Sequence, residues 1–159
     1  MMAGNHSYFM LRAIELARQG MESNSGGPFG AVVVKAGEII GEGSNLVTST
    51  NDPTAHAEIV AVRNACQKLG TFQLDGSVIY TSCEPCPMCL AAIYWARPER
   101  IFFGCTREDA ARINFDDDFL YGELNKPIKE RELPMSSLMR EESLKVFKNW
   151  TEKADKTIY

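Results

Sequence analysis

The sequence lacks an excess of basic residues, a long apolar run, internal repeats and low-complexity tracts. It contains 17 Lys and Arg against 21 Asp and Glu, for a formal net charge of -4. This balance argues against a nucleic-acid partner, because phosphate binding needs clustered basic side chains. Arg12, Glu15 and Arg18 interrupt the first twenty residues, which therefore contain neither a signal-peptide core nor a membrane span. We expect no nucleic-acid or membrane partner and a small, uncharged substrate.

Length and cysteine usage limit the organisation of the chain. At 159 residues with 45% apolar content, it can bury one sizeable core, so we expect a single domain over residues 1–159. The five cysteines are odd in number, and three of them lie between Cys83 and Cys89. That spacing is wrong for a disulfide framework and favours metal or thiol chemistry in a reducing compartment. A cytoplasmic location is therefore expected.

Hydrophobic periodicity predicts an α/β fold. Strand, helix, strand order near the middle of the chain predicts a parallel strand pair with a crossover helix, and Ala36-Gly37 predicts a hairpin turn. We expect a mixed sheet of about five strands with helices on both faces. The expected elements are helices at 8–19, 57–69, 86–95 and 137–153 and strands at 29–35, 38–43, 78–82 and 100–104. We expect Ser7 to cap the first helix and Gly20 to end it, and we expect Leu144, Phe147 and Trp150 of the last helix to face inward.

Two short motifs carry the chemistry of the chain. Thr54-Ala-His-Ala-Glu58 supplies an imidazole and a carboxylate, and Glu84-Pro-Cys-Pro-Met-Cys89 supplies two thiols. H-x-E together with P-C-x-x-C is the signature of zinc-dependent nucleobase deaminases. A zinc with three protein ligands keeps one position for water. We therefore expect one Zn²⁺ bound by His56, Cys86 and Cys89, with Glu58 as the proton shuttle.

The spacing of these residues predicts where they must lie. On a helix, Cys86 and Cys89 are about 60° apart around the axis, so both sulfurs can reach one ion. His56 and Glu58 would be about 200° apart in the middle of a helix and could not converge there. At a helix start, however, side chains can turn over the open end. Two helix N-termini should therefore face the ion, where their dipoles favour thiolates.

A closed structural site is the alternative that the motifs leave open. Cys83 could join Cys86, Cys89 and His56 in a Cys3His zinc site or an iron–sulfur centre. The position of Cys83 at a strand end, rather than on the helix of the other two, favours the three-ligand site. Glu58 could equally be an ordinary acid in a first helical turn. Cys66 and Cys105 are expected to be small buried hydrophobic residues.

Beyond the motifs, the chain resembles the bacterial-type guanine deaminases of the cytidine deaminase-like superfamily, nearly from end to end. The resemblance rests on Gly26-Gly-Pro-Phe-Gly-Ala-Val-Val-Val34, Asn51-Asp-Pro-Thr-Ala-His-Ala-Glu58, Tyr80-Thr-Ser-Cys-Glu-Pro-Cys-Pro-Met-Cys-Leu90, Ala92-Ile-Tyr-Trp-Ala-Arg97 and Phe115-Asp-Asp. It implies a three-layer α/β/α fold and the hydrolysis of guanine to xanthine and ammonia, with zinc-bound hydroxide attacking C2.

The resemblance also implies a substrate-binding set and a dimer. Asp117 would accept hydrogen bonds from N1–H and the N2 amine of guanine, Asn45 would bind the acceptor side of the ring, and Phe29 would pack on its face. The C-terminal segment, about 137–159, would cross to the partner subunit of a homodimer and place Tyr159 over the partner's substrate. From composition alone, residues 116–118 equally fit a solvated acidic turn.

Three other functions remain open at this point. A guanosine deaminase would need room for ribose, which no residue visibly excludes. A tRNA adenosine deaminase would share the zinc machinery but needs a basic surface, and the last twenty residues carry a net charge of only +1, from five Lys or Arg against four Asp or Glu. A non-enzymatic zinc module, finally, would use the metal only to fold.

Overall fold

The computed structural model describes residues 5–115 and 117–159. Seven α-helices, four strands and a short 3-10 turn follow one another in these residues. In chain order they are α1 (His6–Glu22), β1 (Gly30–Lys35), β2 (Glu38–Ser44), α2 (Val47–Thr50), α3 (Ala57–Leu69), β3 (Ser77–Cys83), α4 (Pro87–Ala96), β4 (Arg100–Cys105), α5 (Arg107–Ala111), α6 (Asp118–Asn125), the 3-10 turn (Ile128–Glu130) and α7 (Arg140–Glu152).

The strands form one mixed sheet in the order β2-β1-β3-β4. β1 is antiparallel to β2 and β3, whereas β3 and β4 are parallel and joined by α4 as the crossover helix. The expected mixed α/β sheet is therefore confirmed, but the expected count of about five strands is too high by one for the described residues. After β4, Thr106 caps a helix with its hydroxyl, so the chain turns into α5 and not into a further strand.

Helices cover both faces of the sheet, as the three-layer prediction requires. Alternate side chains of a strand point to opposite faces. Ala31 and Val33 of β1 are buried in a cluster with residues of α3 and α4, whereas Val32 and Val34 are buried against Phe9 and Ala13 of α1. The continuous apolar run of β1 is thus explained, because both of its faces are covered.

Glycines in β2 let α3 lie close against the sheet. A Cβ atom at Gly43 would lie 2.3 Å from the carbonyl oxygen of Ala57, and one at Gly41 would lie 2.3 Å from that of Ala61. Neither position could hold a side chain without moving α3. The close approach places the first turn of α3, which follows directly on His56, next to the end of the sheet.

Several helix boundaries differ from the prediction by a few residues. α1 begins at His6 because the side chain of Asn5, not of Ser7, accepts the N–H of Tyr8. It also continues past Gly20, which is buried inside the helix. The terminal helix is shorter than expected and begins at Arg140. No helix within residues 5–115 and 117–159 is both long and apolar enough to span a bilayer.

The chain divides into two compact units, one ending at Asp118 and the other comprising Phe119–Tyr159. The sheet, α1 to α5 and the two motifs belong to the first. The single-domain organisation thus stays a prediction. In the second unit, Leu144, Phe147 and Trp150 of α7 were expected to face inward, but their exposed fractions are 37%, 69% and 41%. This expectation is wrong for the isolated chain, because α7 has no buried residue.

Candidate active site

The two motifs lie at the starts of two helices. His56 is the N-cap of α3, and Cys86 is the N-cap of α4, both with extended backbone angles. Glu58 therefore falls in the first turn of α3 and Cys89 in the first turn of α4. Pro87 occupies the first position of α4, where its missing N–H leaves no hydrogen bond unmade. Both helices thus begin where the spacing of the motifs predicts.

The side chains of His56, Cys86 and Cys89 converge to form a candidate metal site. Their ligand atoms all lie within 4.8 Å of one another. His56 Nδ1 lies 3.6 Å from Cys86 Sγ and 3.5 Å from Cys89 Sγ. Tetrahedral zinc with Zn–S of about 2.3 Å and Zn–N of about 2.05 Å would separate N and S by about 3.6 Å. The donor atoms thus have the types and spacing that zinc requires.

The electrostatics of the cluster favour a bound cation. The hydrogen bond from Cys89, followed by that with His56, lowers the pKa of Cys86 to about 4. The interaction with Cys86 raises the pKa of His56. This lowered pKa favours the thiolate form of Cys86, the form that binds a metal, next to the Cys89 thiol and the Glu58 carboxyl group. A divalent cation would be attracted to this thiolate and would favour loss of the Cys89 proton as well.

Glu58 is buried beside the metal-ligand cluster. Its exposed fraction is 6%, and its Oε2 lies 3.5 Å from Cys89 Sγ. Burial raises the pKa of Glu58 to about 7, because an apolar environment disfavours the carboxylate. An ordinary acid in a first helical turn would point into solvent. The buried position next to the ligands distinguishes Glu58 from such an acid, and its role as proton shuttle stays a prediction.

Cys83 does not belong to the ligand cluster. Among the described residues the cluster contains His56, Cys86 and Cys89, while the Cys83 thiol lies 3.6 Å from the carbonyl oxygen of Thr106, to which it donates. Burial raises the pKa of Cys83 to about 12, which keeps it a thiol. The position of Cys83 therefore argues against a closed zinc site with three cysteine ligands and one histidine ligand. Cys105, expected to be buried, is exposed at the end of an edge strand, whereas Cys66 is half-buried.

A cavity of about 240 Å³ opens over the cluster. It is smaller than the roughly 300–1,000 Å³ of sites for drug-sized ligands, which favours a small molecule. Three predicted substrate residues line it together with the metal site. The lining consists of Gly27, Phe29, Asn45, Val47, Thr48, Pro53, His56, Glu58, Cys83, Glu84, Cys86, Ala110, Phe115 and Asp117.

Asn45 and Asp117 offer hydrogen-bonding groups of opposite kinds to this cavity. Asn45 is buried, and its Oδ1 accepts the N–H of Val47 at 3.1 Å. That bond orients the amide so that the nitrogen is the end left to donate. Asp117 is half-buried and supplies two acceptor oxygens. Asp116, in the same acidic stretch, lies outside the described residues.

Phe115 and Glu84 are two of the lining residues that were not predicted as site residues. Phe115 forms an edge-to-face pair with Phe29, with the ring centroids 4.9 Å apart. Glu84 lines the cavity two residues before Cys86. Both stand next to predicted residues in the sequence, but neither spacing nor residue type reveals on which side of the chain their side chains lie. Tyr159, by contrast, belongs to the unit Phe119–Tyr159 and is 67% exposed, and its role stays a prediction.

Comparison with known proteins defines the class. The family described as the cytidine and deoxycytidylate deaminase zinc-binding region matches residues 3–105. This range contains both motifs and the whole sheet. The chain therefore belongs to this family of zinc-binding deaminases. The expected class, a hydrolytic zinc enzyme with one metal and three protein ligands, is confirmed.

Individual relatives cover nearly the whole chain. The guanine deaminase of Bacillus subtilis (strain 168) is 53% identical over 155 residues, which are 98% of this chain and 99% of that protein. The X-ray structure of guanine deaminase from Bacillus subtilis superimposes with a TM-score of 0.95 at 53% identity, again over 98% and 99% of the two chains. A tRNA-specific adenosine deaminase of Buchnera aphidicola is 36% identical over 94% of this chain and 96% of its own length.

Proposed function

We propose that the protein hydrolyses guanine to xanthine and ammonia. The observation that carries the proposal is a single cavity that contains the metal-ligand cluster, the buried Glu58 and an acid at Asp117. The similarity to a guanine deaminase over almost the entire length supports guanine as the base. The substrate-binding roles and the dimer belong to this proposal.

His56, Cys86 and Cys89 would hold the zinc. A bound zinc supplies Lewis-acid chemistry, which lowers the pKa of a coordinated water to about 7. Three ligands from helix starts leave one side of the site open to the cavity, where water and substrate can meet. A structural zinc site has no need for an open side or for a buried carboxyl group.

Glu58 would move the protons of the reaction. Its carboxylate accepts a proton from the attacking water and delivers it to ring nitrogen N3 next to C2. It then takes the second proton from the new C2 hydroxyl group and passes it to the N2 amine, which leaves as ammonia. One water is consumed, the C2–N2 bond breaks and a C2–O bond forms. Because Glu58 is 6% exposed, bulk water cannot replace it in these transfers.

Asp117, Asn45 and Phe29 would select and orient the base. Guanine presents N1–H and the N2 amine side by side, and one carboxylate can accept both in a bidentate arrangement. Asn45 can donate to the acceptor side of the purine from the floor of the cavity. Phe29, with its ring held edge-to-face by Phe115, would pack against the base.

A substrate panel tests this assignment. The zinc-loaded protein is incubated with guanine, guanosine, adenine, cytosine, cytidine and a tRNA anticodon hairpin, and ammonia release is measured. We expect guanine to be turned over at the highest kcat/KM. Preference for guanosine or for the hairpin would identify one of the alternative deaminases, and silence on every substrate with zinc bound would favour a structural zinc module.

The protein would also act as a homodimer with exchanged C-terminal segments. Large apolar side chains are exposed along Phe119–Tyr159 in the single chain, including Leu138 (84%), Phe147 (69%) and Tyr159 (67%). Isolated proteins rarely leave so much apolar surface uncovered. A second copy that covers it, with Tyr159 over the partner's cavity, accounts for the exposure.

Mixed dimers test the exchange directly. A Glu58→Gln chain is refolded together with a chain that lacks Tyr159, and activity is measured at a guanine concentration far below the raised KM of the deletion variant, where each chain alone has little activity. In an exchanged dimer the first chain lends its Tyr159 to the intact Glu58 of the second, so about a quarter of wild-type activity should return, because half of the dimers are mixed and each has one competent site. No recovery in verified mixed dimers would show that each tail serves its own subunit.

All five cysteines are free in the structure, which suits a reducing compartment. We therefore propose a cytoplasmic location, which fractionation of cells producing the protein tests.

A further inference from the structure

Glu84 connects the metal-ligand motif to the chain that follows the sheet. Its backbone N–H donates to the carbonyl oxygen of Cys105 at 2.8 Å, and its Oε2 accepts the N–H of Arg107 at 3.1 Å. The residue is half-buried and lines the cavity, two positions before Cys86. One residue of the ligand loop thus holds both the end of β4 and the beginning of α5.

α5 depends on such contacts for its position. It has only five residues, Arg107–Ala111, and a helix of that length has little stability of its own. Its start is held by a capping box, in which Thr106 Oγ1 accepts the N–H of Asp109 at 3.4 Å and Asp109 Oδ2 accepts the N–H of Thr106 at 3.0 Å. Glu84 adds a third hydrogen bond, from outside the helix.

The segment that α5 begins forms one side of the cavity. Ala110 is buried in the cavity lining, and its carbonyl oxygen accepts the N–H of Phe115 at 3.1 Å. Phe115 contacts Phe29, and Asp117 follows two residues later. We call residues 106–115 together with Asp117 the recognition segment. Its place relative to the metal site depends on where α5 begins.

We propose that Glu84 is a positioning residue that holds the recognition segment against the metal-ligand loop by accepting the Arg107 N–H. The inference rests on the proposed function, because it assigns the recognition segment to binding of the base. Glu84 acts through its hydrogen bond and not through its charge, and it takes no part in proton transfer. Loss of the bond should therefore affect the binding of guanine and not the chemical step.

Three variants of the full-length, zinc-loaded protein test this role. Glu84→Ala removes the acceptor, whereas Glu84→Gln keeps an oxygen that can accept the Arg107 N–H. Glu99→Ala is the matched control. It removes an exposed acid that directly precedes the first residue of β4, at the end of the strand away from Glu84. The measurements are zinc content, hydrogen exchange of a peptide covering residues 106–115, and steady-state kinetics with guanine.

The expected signature differs between the variants. Glu84→Ala should bind a full complement of zinc, exchange the 106–115 amides about tenfold faster and raise the KM for guanine about tenfold, with kcat within about twofold of wild type. Glu84→Gln should restore exchange and KM to within about threefold of wild type, and Glu99→Ala should match wild type in all three measurements.

Other results would overturn the proposal. If hydrogen exchange of residues 106–115 is unchanged in Glu84→Ala, the hydrogen bond does not hold the recognition segment. This result does not depend on the substrate, so it can be distinguished from a failure of the guanine assignment. A loss of kcat in both Glu84 variants would assign the charge to the chemical step. If Glu84→Ala does not fold, Asp109→Ala, which breaks the capping box of the same helix start, must give the fast exchange and the raised KM with normal zinc content.

Discussion

Replacing Glu58 with Gln is the most direct test of the site's chemistry. The substitution keeps the shape of the side chain and removes only its capacity to take up and release a proton. General acid–base catalysis by a positioned group contributes about 10² to 10⁴ in rate, or about 3 to 5.5 kcal/mol of transition-state stabilisation. Because Glu58 is 6% exposed, solvent cannot take over its function. We therefore expect kcat to fall by about 10³ to 10⁴.

The same substitution should leave the metal and the fold intact. His56, Cys86 and Cys89 are unchanged, and the amide of Gln can lie beside Cys89 Sγ as the carboxyl group does at 3.5 Å. Zinc content, determined by elemental analysis, should remain one per subunit, and the thermal midpoint should not fall by more than about 4 °C. The KM for guanine should change by less than about threefold.

The assay is the initial rate of ammonia release from guanine, measured with a coupled dehydrogenase at enzyme concentrations high enough to detect a rate about 10⁴-fold below that of wild type. Glu38→Gln, an exposed acid at the start of β2, is the control and should retain full activity. Turnover by Glu58→Gln within about tenfold of wild type, with zinc bound, would refute the assignment of the proton shuttle.

Three further predictions concern the base, the tail and the fold. Asp117→Asn leaves one acceptor where two are needed, so kcat/KM for guanine should fall about 10- to 100-fold at constant zinc content; a change below about threefold would contradict the bidentate contact. Deletion of Tyr159 should raise the KM for guanine without changing the mass in light scattering, and unchanged kinetics would leave the tail without a role at the site. Arg12 donates two hydrogen bonds, of 2.6 and 2.7 Å, to Glu42 and thereby lowers the pKa of that carboxyl group. At pH values above the unfolded-state pKa of Glu42, the pair should add about 0.5 kcal/mol to the free energy of unfolding, and this contribution should disappear as the pH falls through the lower folded-state pKa. The coupling energy is measured by a double-mutant cycle of urea unfolding at pH 7 and at pH 3. Equal coupling at the two pH values would refute the prediction.

Much of the fold follows from local patterns. The helix α3 ends at Gly70, which adopts the left-handed backbone conformation expected of a helix stop, and the strand, helix, strand order from Ser77 to Cys105 gives the parallel pair. Helix starts were less predictable, because Asn5 and Ser7 are both competent N-caps and only the fold decides between them. Burial of isolated cysteines also failed as a prediction, since Cys105 lies at the end of an edge strand.

The composition of the metal site is a property of the sequence alone. Histidine and cysteine are residue types that bind zinc, and the spacing of His56, Cys86 and Cys89 permits a shared ion only at helix starts. The motifs therefore predict the position of the ligands on the helices as well as their identity. This worked because metal ligation needs particular atoms at particular separations, and few arrangements of a chain provide them. Glu58 was predicted from its place two residues after His56, and the structure buries it beside the ligands.

The cavity, by contrast, is a product of the tertiary structure. Glu84 lines it because the ligand loop meets the end of β4 and the capped start of α5, about twenty residues further along the chain. Phe115 lines it because its ring packs against Phe29, which is far away in sequence. Side-chain direction in such loops depends on long-range packing and not on local residue types. The sequence alone thus determined which residues can bind the metal and which acid is predicted to move the proton, whereas the fold decided which side chains surround the cavity.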